Sequence, residues 1–162
     1  MKSFTKPLLL CAVVTLVFLV LCNGMIPIVR PVQAESQDTS VTSLQAVETD
    51  MHEFMEYVFQ PTFGQLKIAM KEKPKDKKGW FAIKSGALIL AEGGNLILLR
   101  GPQDDRGAWN KYAESVRTHG GELYRAAQKQ DFELAPTHYA SMVKSCNACH
   151  EQFAHGEHLL TP

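Results

Sequence analysis

Near the C-terminal end of the 162-residue chain stands Cys146-Asn147-Ala148-Cys149-His150. Two thiols three residues apart, followed at once by an imidazole, suit three kinds of chemistry. They can form thioethers to the vinyl groups of a haem while the next imidazole reaches the iron, which is c-type attachment. A CxxC pair can also cycle between dithiol and disulfide, but that use belongs beside a βαβ pattern, and none is visible here. Structural zinc takes four thiolate or imidazole ligands. His150, His155 and His158 are close in sequence, yet no second CxxC or CxxH completes such a set. The expectation is therefore one haem c, attached through Cys146 and Cys149, with His150 as proximal iron ligand. The ring nitrogen of His150 that does not bind iron should donate to a carbonyl or a water that fixes the ring.

The start of the chain agrees with that chemistry. Lys2 and Lys6 precede an apolar run from Leu8 to Val20, which reads as an export signal. Val32-Gln33-Ala34 offers small residues for cleavage, so residues 1–34 are expected to be a signal peptide and 35–42 a polar lead. An uncleaved anchor is the alternative. Pro7 to Val29 covers about the 20 residues that a membrane span requires, although Asn23, Gly24 and Pro27 interrupt it. Cys22 follows Leu21 where a lipoprotein site wants a small residue, which argues against a lipid anchor. Either way the body of the protein lies outside the cytoplasm, in the periplasm, with membrane contact only if the first segment is retained. Cys11 and Cys22 belong to that segment, leaving one close cysteine pair, which is no disulfide framework. Lys2, Lys6 and Arg30 also fall there, so the remainder holds 14 basic against 17 acidic side chains, a formal charge of −3. Nucleic-acid binders carry a basic patch or stripe, and this balance argues against one.

Residues 43–162 should form one domain, and the elements that must hold the CxxCH are helices. A first runs from about Ser43 to Gln60, with Leu44, Val47, Met51, Phe54, Met55 and Val58 on one face. Thr42 with Gln45 fits a capping box. Pro61 should kink or interrupt this helix before it continues to about Lys71, and Pro74 to Gly79 is a charged turn. A second spans about Trp80 to Arg100, with Ile83, Ala87, Leu90, Ala91, Gly94, Ile97 and Leu98 inward. Gly86, Gly93 and Gly94 weaken it by about 1 kcal/mol each relative to Ala. Close approach of a helix or of a flat prosthetic group would compensate, and the alternative is a local break. A third runs from Asp104 or Asp105 to Gln130, turning Ala108, Tyr112, Val116, Leu123, Tyr124 and Ala127 inward. The fourth reaches from near Asp131 to Phe153, with Pro136 marking its true first turn. Tyr139, Met142, Cys146, Cys149, His150 and Phe153 share its inner side. Four such helices with short connections imply an all-α, antiparallel up-down-up-down bundle around one covalently bound haem.

Cys146-Asn147-Ala148-Cys149-His150-Glu151-Gln152-Phe153, late in a fourth helix, resembles the haem signature of the cytochrome c-prime and cytochrome c-556 group, the class II c-type cytochromes. The resemblance covers about Ser43 to Phe153. It implies that the first helix lies over the haem face opposite His150. Six-coordinate, electron-transferring members draw a methionine ligand from that helix; five-coordinate members have an apolar residue there and bind small gases. By this resemblance Met51, alternatively Met55, is the candidate sixth ligand, while methionines on such a stripe also serve as flexible core fillers. The chain departs from the family at Ala154, where many members carry Arg or Lys. Gly86, Gly93, Gly94 and Trp109 either line the pocket or serve packing. His52, His119, His138, His155 and His158 read as solvated histidines.

The functional expectation is a haem-c electron carrier cycling between Fe(III) and Fe(II) and serving redox partner proteins, with a homodimer left open. The alternative is a five-coordinate haem protein that binds nitric oxide or carbon monoxide. No acid–base pair or oxyanion arrangement can be placed, so an enzyme is not expected.

Overall fold

The computed structural model describes residues 44–162, and they are all-helical. The signal segment, the polar lead and Thr42 of the expected capping box lie outside the described residues. Among the described residues there are four helical rods. The first is continuous and has three parts: α1 (Met51–Phe54), a π-helical turn (Met55–Phe59) and α2 (Gln60–Ala69). Then follow α3 (Lys77–Leu98), α4 (Arg106–Gln128) and α5 (Ala135–Phe153).

The first rod begins later than its apolar pattern predicts. Leu44 and Val47 are exposed, because the helix starts at Met51 behind a different cap. Asp50 Oδ1 accepts from the backbone N–H of His52 at 2.7 Å and of Glu53 at 3.1 Å, satisfying two of the donors that a helix start leaves free. Pro61 neither breaks the rod nor ends it. A proline ring collides with the carbonyl four residues before it and offers no N–H, and the chain answers by widening the preceding turn. Gln60 N–H reaches back to the Met55 carbonyl, five residues away, and the Thr62 hydroxyl donates to the Val58 carbonyl at 2.7 Å.

Helix α3 remains unbroken through its glycines, and protein atoms fill the space beside them. A Cβ on Gly86 would stand 3.0 Å from Leu66 Cβ, and one on Gly93 would stand 2.6 Å from the Phe59 ring. At Gly94 it would meet the Ala113 carbonyl oxygen and the Arg117 backbone nitrogen, each at 2.9 Å. Of the two expected compensations, close approach of neighbouring helices is the one present. Among the described residues α3 alone is long and apolar enough to cross a membrane; here its buried side chains form much of the core.

In α4 the buried stripe is Trp109, Ala113, Val116, Gly120, Leu123 and Ala127, one residue over from the expected one at its start. Ala108, Tyr112 and Tyr124 flank it, half-buried. Trp109 donates its indole N–H to the Ile97 carbonyl at 3.0 Å and meets the Phe153 ring edge-on at 5.1 Å. Helix α5 starts with Pro136 in its first turn, as expected. Among the described residues, backbone approach within 8 Å (Cα to Cα) joins α2 to α3, α3 to α4 and α4 to α5, but not α5 to the first rod. Side chains span that last seam: Phe63 stacks on Tyr139 with ring centroids 6.3 Å apart.

Candidate functional site

The CxxCH occupies the last turns of α5. At 100° per residue, Cys146 continues the inward line of Tyr139 and Met142, with Cys149 and His150 to either side of it. Both cysteines are free thiols, not a disulfide. Burial pushes the Cys146 thiol up to about 12, helped by the neighbouring Cys149 and opposed by a backbone hydrogen bond. Burial likewise pushes Cys149 up to about 11.

His150 is held from behind. Its Nδ1 lies 3.0 Å from the His158 carbonyl oxygen, so Nδ1–H is the donor and Nε2 keeps its lone pair. Burial lowers its pKa, the carbonyl hydrogen bond raises it, and the nearby His158 lowers it further, leaving a net shift toward the neutral ring. The carbonyl partner expected for this imidazole is present.

That carbonyl comes from a C-terminal tail with no expected role. After Phe153 the chain turns back through positive φ at His155 (52°) and Gly156 (76°), and Gly156 N–H caps the His150 carbonyl at 3.0 Å. Asn147, a variable position inside the CxxCH, then clamps the tail in both directions. Its amide donates to the Leu160 carbonyl at 2.9 Å, and its Oδ1 accepts from Leu160 N–H at 2.8 Å. Beyond it, Lys67 of α2 donates to the Thr161 carbonyl at 2.7 Å. The tail thus ties α5 to the first rod across the seam that their backbones leave open.

On the first rod, Met51 and Met55 are half-buried against the core, and Phe54 between them is buried. His52 is exposed, pairs with Glu56 at 3.6 Å and lies 6.1 Å, centroid to centroid, from the His158 ring. Met51 and Met55 therefore share a turn with a residue that touches the tail holding His150. His155 and His158 are exposed, as expected. His119 and His138 are not simply solvated: both are half-buried and share the Glu122 carboxylate. Among the described residues, those three alone bring three metal-binding donor atoms within 4.8 Å of one another.

The donor set fits a covalently held haem. It offers two unpaired thiols on an inward helix face and an imidazole whose outer nitrogen is already engaged. Beside Cys146, the buried Tyr139 hydroxyl has no hydrogen-bond partner among the described residues. No family model, no curated protein and no solved structure matches this chain.

Proposed function

We propose that this chain is an extracytoplasmic electron carrier, a haem-c protein of the cytochrome c-prime and c-556 kind, built as an antiparallel up-down-up-down bundle. Short connections and helix pairings support the topology. Leu66 faces Gly86 while Phe59 faces Gly93, and Ala91 faces Gly120 while Gly94 faces Arg117. Ser115 bonds Ser145 while Glu122 bonds His138. In each pair one sequence number rises as the other falls.

The observation that carries the functional reading is the His150–His158 hydrogen bond, made inside a CxxCH whose cysteines are both free. It fixes the ring and its tautomer and leaves the Nε2 lone pair free for a metal, as outer-shell partners of ligating histidines do. Cys146 and Cys149 would hold the porphyrin, His150 would bind iron, and Met51, or alternatively Met55, would supply the sixth ligand. Bound there, haem c supplies reversible one-electron chemistry, whose potential follows from axial ligands, burial and hydrogen bonding. The apolar face of the first rod and the tail would limit water at the site.

In a host that matures c-type cytochromes, the full chain should keep its haem on a denaturing gel, and Cys146→Ala/Cys149→Ala should lose it. Haem retained by the double variant overturns the reading. The native spectrum should be low-spin with a weak sulfur-to-iron band near the red edge, and Met51→Ala should turn it high-spin. Phe54 favours a second reading, since it is the buried side chain of α1 and the methionines only flank it. A native high-spin spectrum would select that reading, a five-coordinate iron site for nitric oxide or carbon monoxide.

A further inference from the structure

We propose that His119, Glu122 and His138 form a zinc-binding site that ties α4 to α5. His119 and Glu122 stand three residues apart on α4, so they share a face, and His138 comes from the early turns of α5. Nδ1 of each histidine lies 3.1 Å from the same Glu122 oxygen, Oε2, and the three donor atoms lie within 4.8 Å of one another. Tetrahedral zinc with bonds of about 2.0–2.1 Å sets its donors about 3.3 Å apart. The two short separations here need to open slightly and the His119–His138 separation to match them, which side-chain rotation can supply.

The chemistry of the set selects the ion. Two imidazoles suit zinc and its neighbours, whereas magnesium and calcium take oxygen ligands. The carboxylate offsets part of the charge. All three side chains are between a quarter and about a third exposed, so water has access to complete a fourth position. His138 precedes Cys146 by eight residues, about 12 Å of helix rise, and its ring turns toward α4. The site is thus separate from the CxxCH and does not rest on the haem reading.

The test is equilibrium dialysis of the full chain against zinc chloride, with the cysteines removed from competition by attached haem or by alkylation. One zinc per chain is expected, and zinc should raise the melting temperature. His119→Ala/His138→Ala should weaken binding by about 100-fold or more, since loss even of outer-shell partners costs about 10–100-fold. Glu122→Gln keeps the side chain's shape and should lose the zinc-induced rise in melting temperature while folding normally by circular dichroism. No zinc uptake by the parent chain overturns the site, as does undiminished uptake by both variants. The three residues would then be only a hydrogen-bonded bridge between helices.

Discussion

Tyr139 carries a buried hydroxyl that no described residue satisfies, although its ring is well placed against Phe63. Burial raises its pKa from the ordinary 10 to about 12, and the neighbouring Cys146 adds to the rise. A folded pKa above the unfolded one means that the fold holds the proton more tightly. Burial disfavours only the phenolate, so this pH-dependent part of the stability is fully present below pH 10 and is lost as pH rises through about 12, even though the neutral hydroxyl itself has no partner among the described residues. In the chain without haem, Tyr139→Phe should raise stability at pH 7 by about 1 kcal/mol, the lower end of what an unsatisfied buried group costs. It should also flatten the decline above pH 10; urea denaturation at pH 7 and pH 11 measures both. Unchanged stability at both values would show that the hydroxyl is hydrated. The sequence shows Tyr139 on the CxxCH side of its helix but cannot show that its hydroxyl lacks a partner. It likewise shows His119 and Glu122 three apart, but placing His138 against them needs the register between α4 and α5.

At the scale of the helix, the two kinds of glycine should respond oppositely to the same change. Gly94 sits where α3 crosses α4, and a Cβ there meets backbone atoms at 2.9 Å, which cannot rotate away. Gly94→Ala gains about 1 kcal/mol of helix propensity but overpacks the crossing at a cost of about 1–3 kcal/mol, so a net loss is expected. Gly64 in α2 is exposed with nothing within 4 Å of its would-be Cβ. Gly64→Ala should therefore gain up to about 1 kcal/mol. Denaturation midpoints of the two variants should move in opposite directions; a stabilised Gly94→Ala would mean the crossing is looser than its geometry. Much of this scale was legible, because 3.6-residue periodicity and Pro136 mark α3, α4 and α5 closely. The first rod was legible only in part. Leu44 and Val47 fit its stripe by spacing, yet Asp50 with Glu53 is the stronger start signal. Pro61 was visible, but whether a chain kinks or widens a turn depends on tertiary packing.

Across the whole molecule the C-terminal tail is the element that sequence patterning least reveals. Residues 154–162 have no helical period, and their partners, Lys67, Asn147 and His150, are distant or hidden inside another motif. The tail is nonetheless the hydrogen-bonded link between α5 and the first rod where their backbones stay apart. Its hold depends chiefly on Asn147, which makes both a donor and an acceptor bond to Leu160. Asn147→Ala removes both, each worth about 0.5–1.5 kcal/mol net, and leaves the CxxCH intact. If the tail opens as a unit of its own, as weakly held segments do, hydrogen exchange of the Gly156 amide, whose His150 acceptor the substitution leaves in place, should quicken by about tenfold or more. Protected amides of α3 and α4 should keep their rates relative to global stability, because their helix-to-helix contacts do not involve the tail. Exchange that quickens equally in all helices would instead make the tail part of the global folding unit. If the chain carries haem as proposed, the same substitution should leave attachment intact, since both thiols remain. On the proposed haem reading it should also loosen the His158 carbonyl from His150, making the imidazole a weaker donor to iron and raising the reduction potential above that of the parent chain, which a redox titration measures.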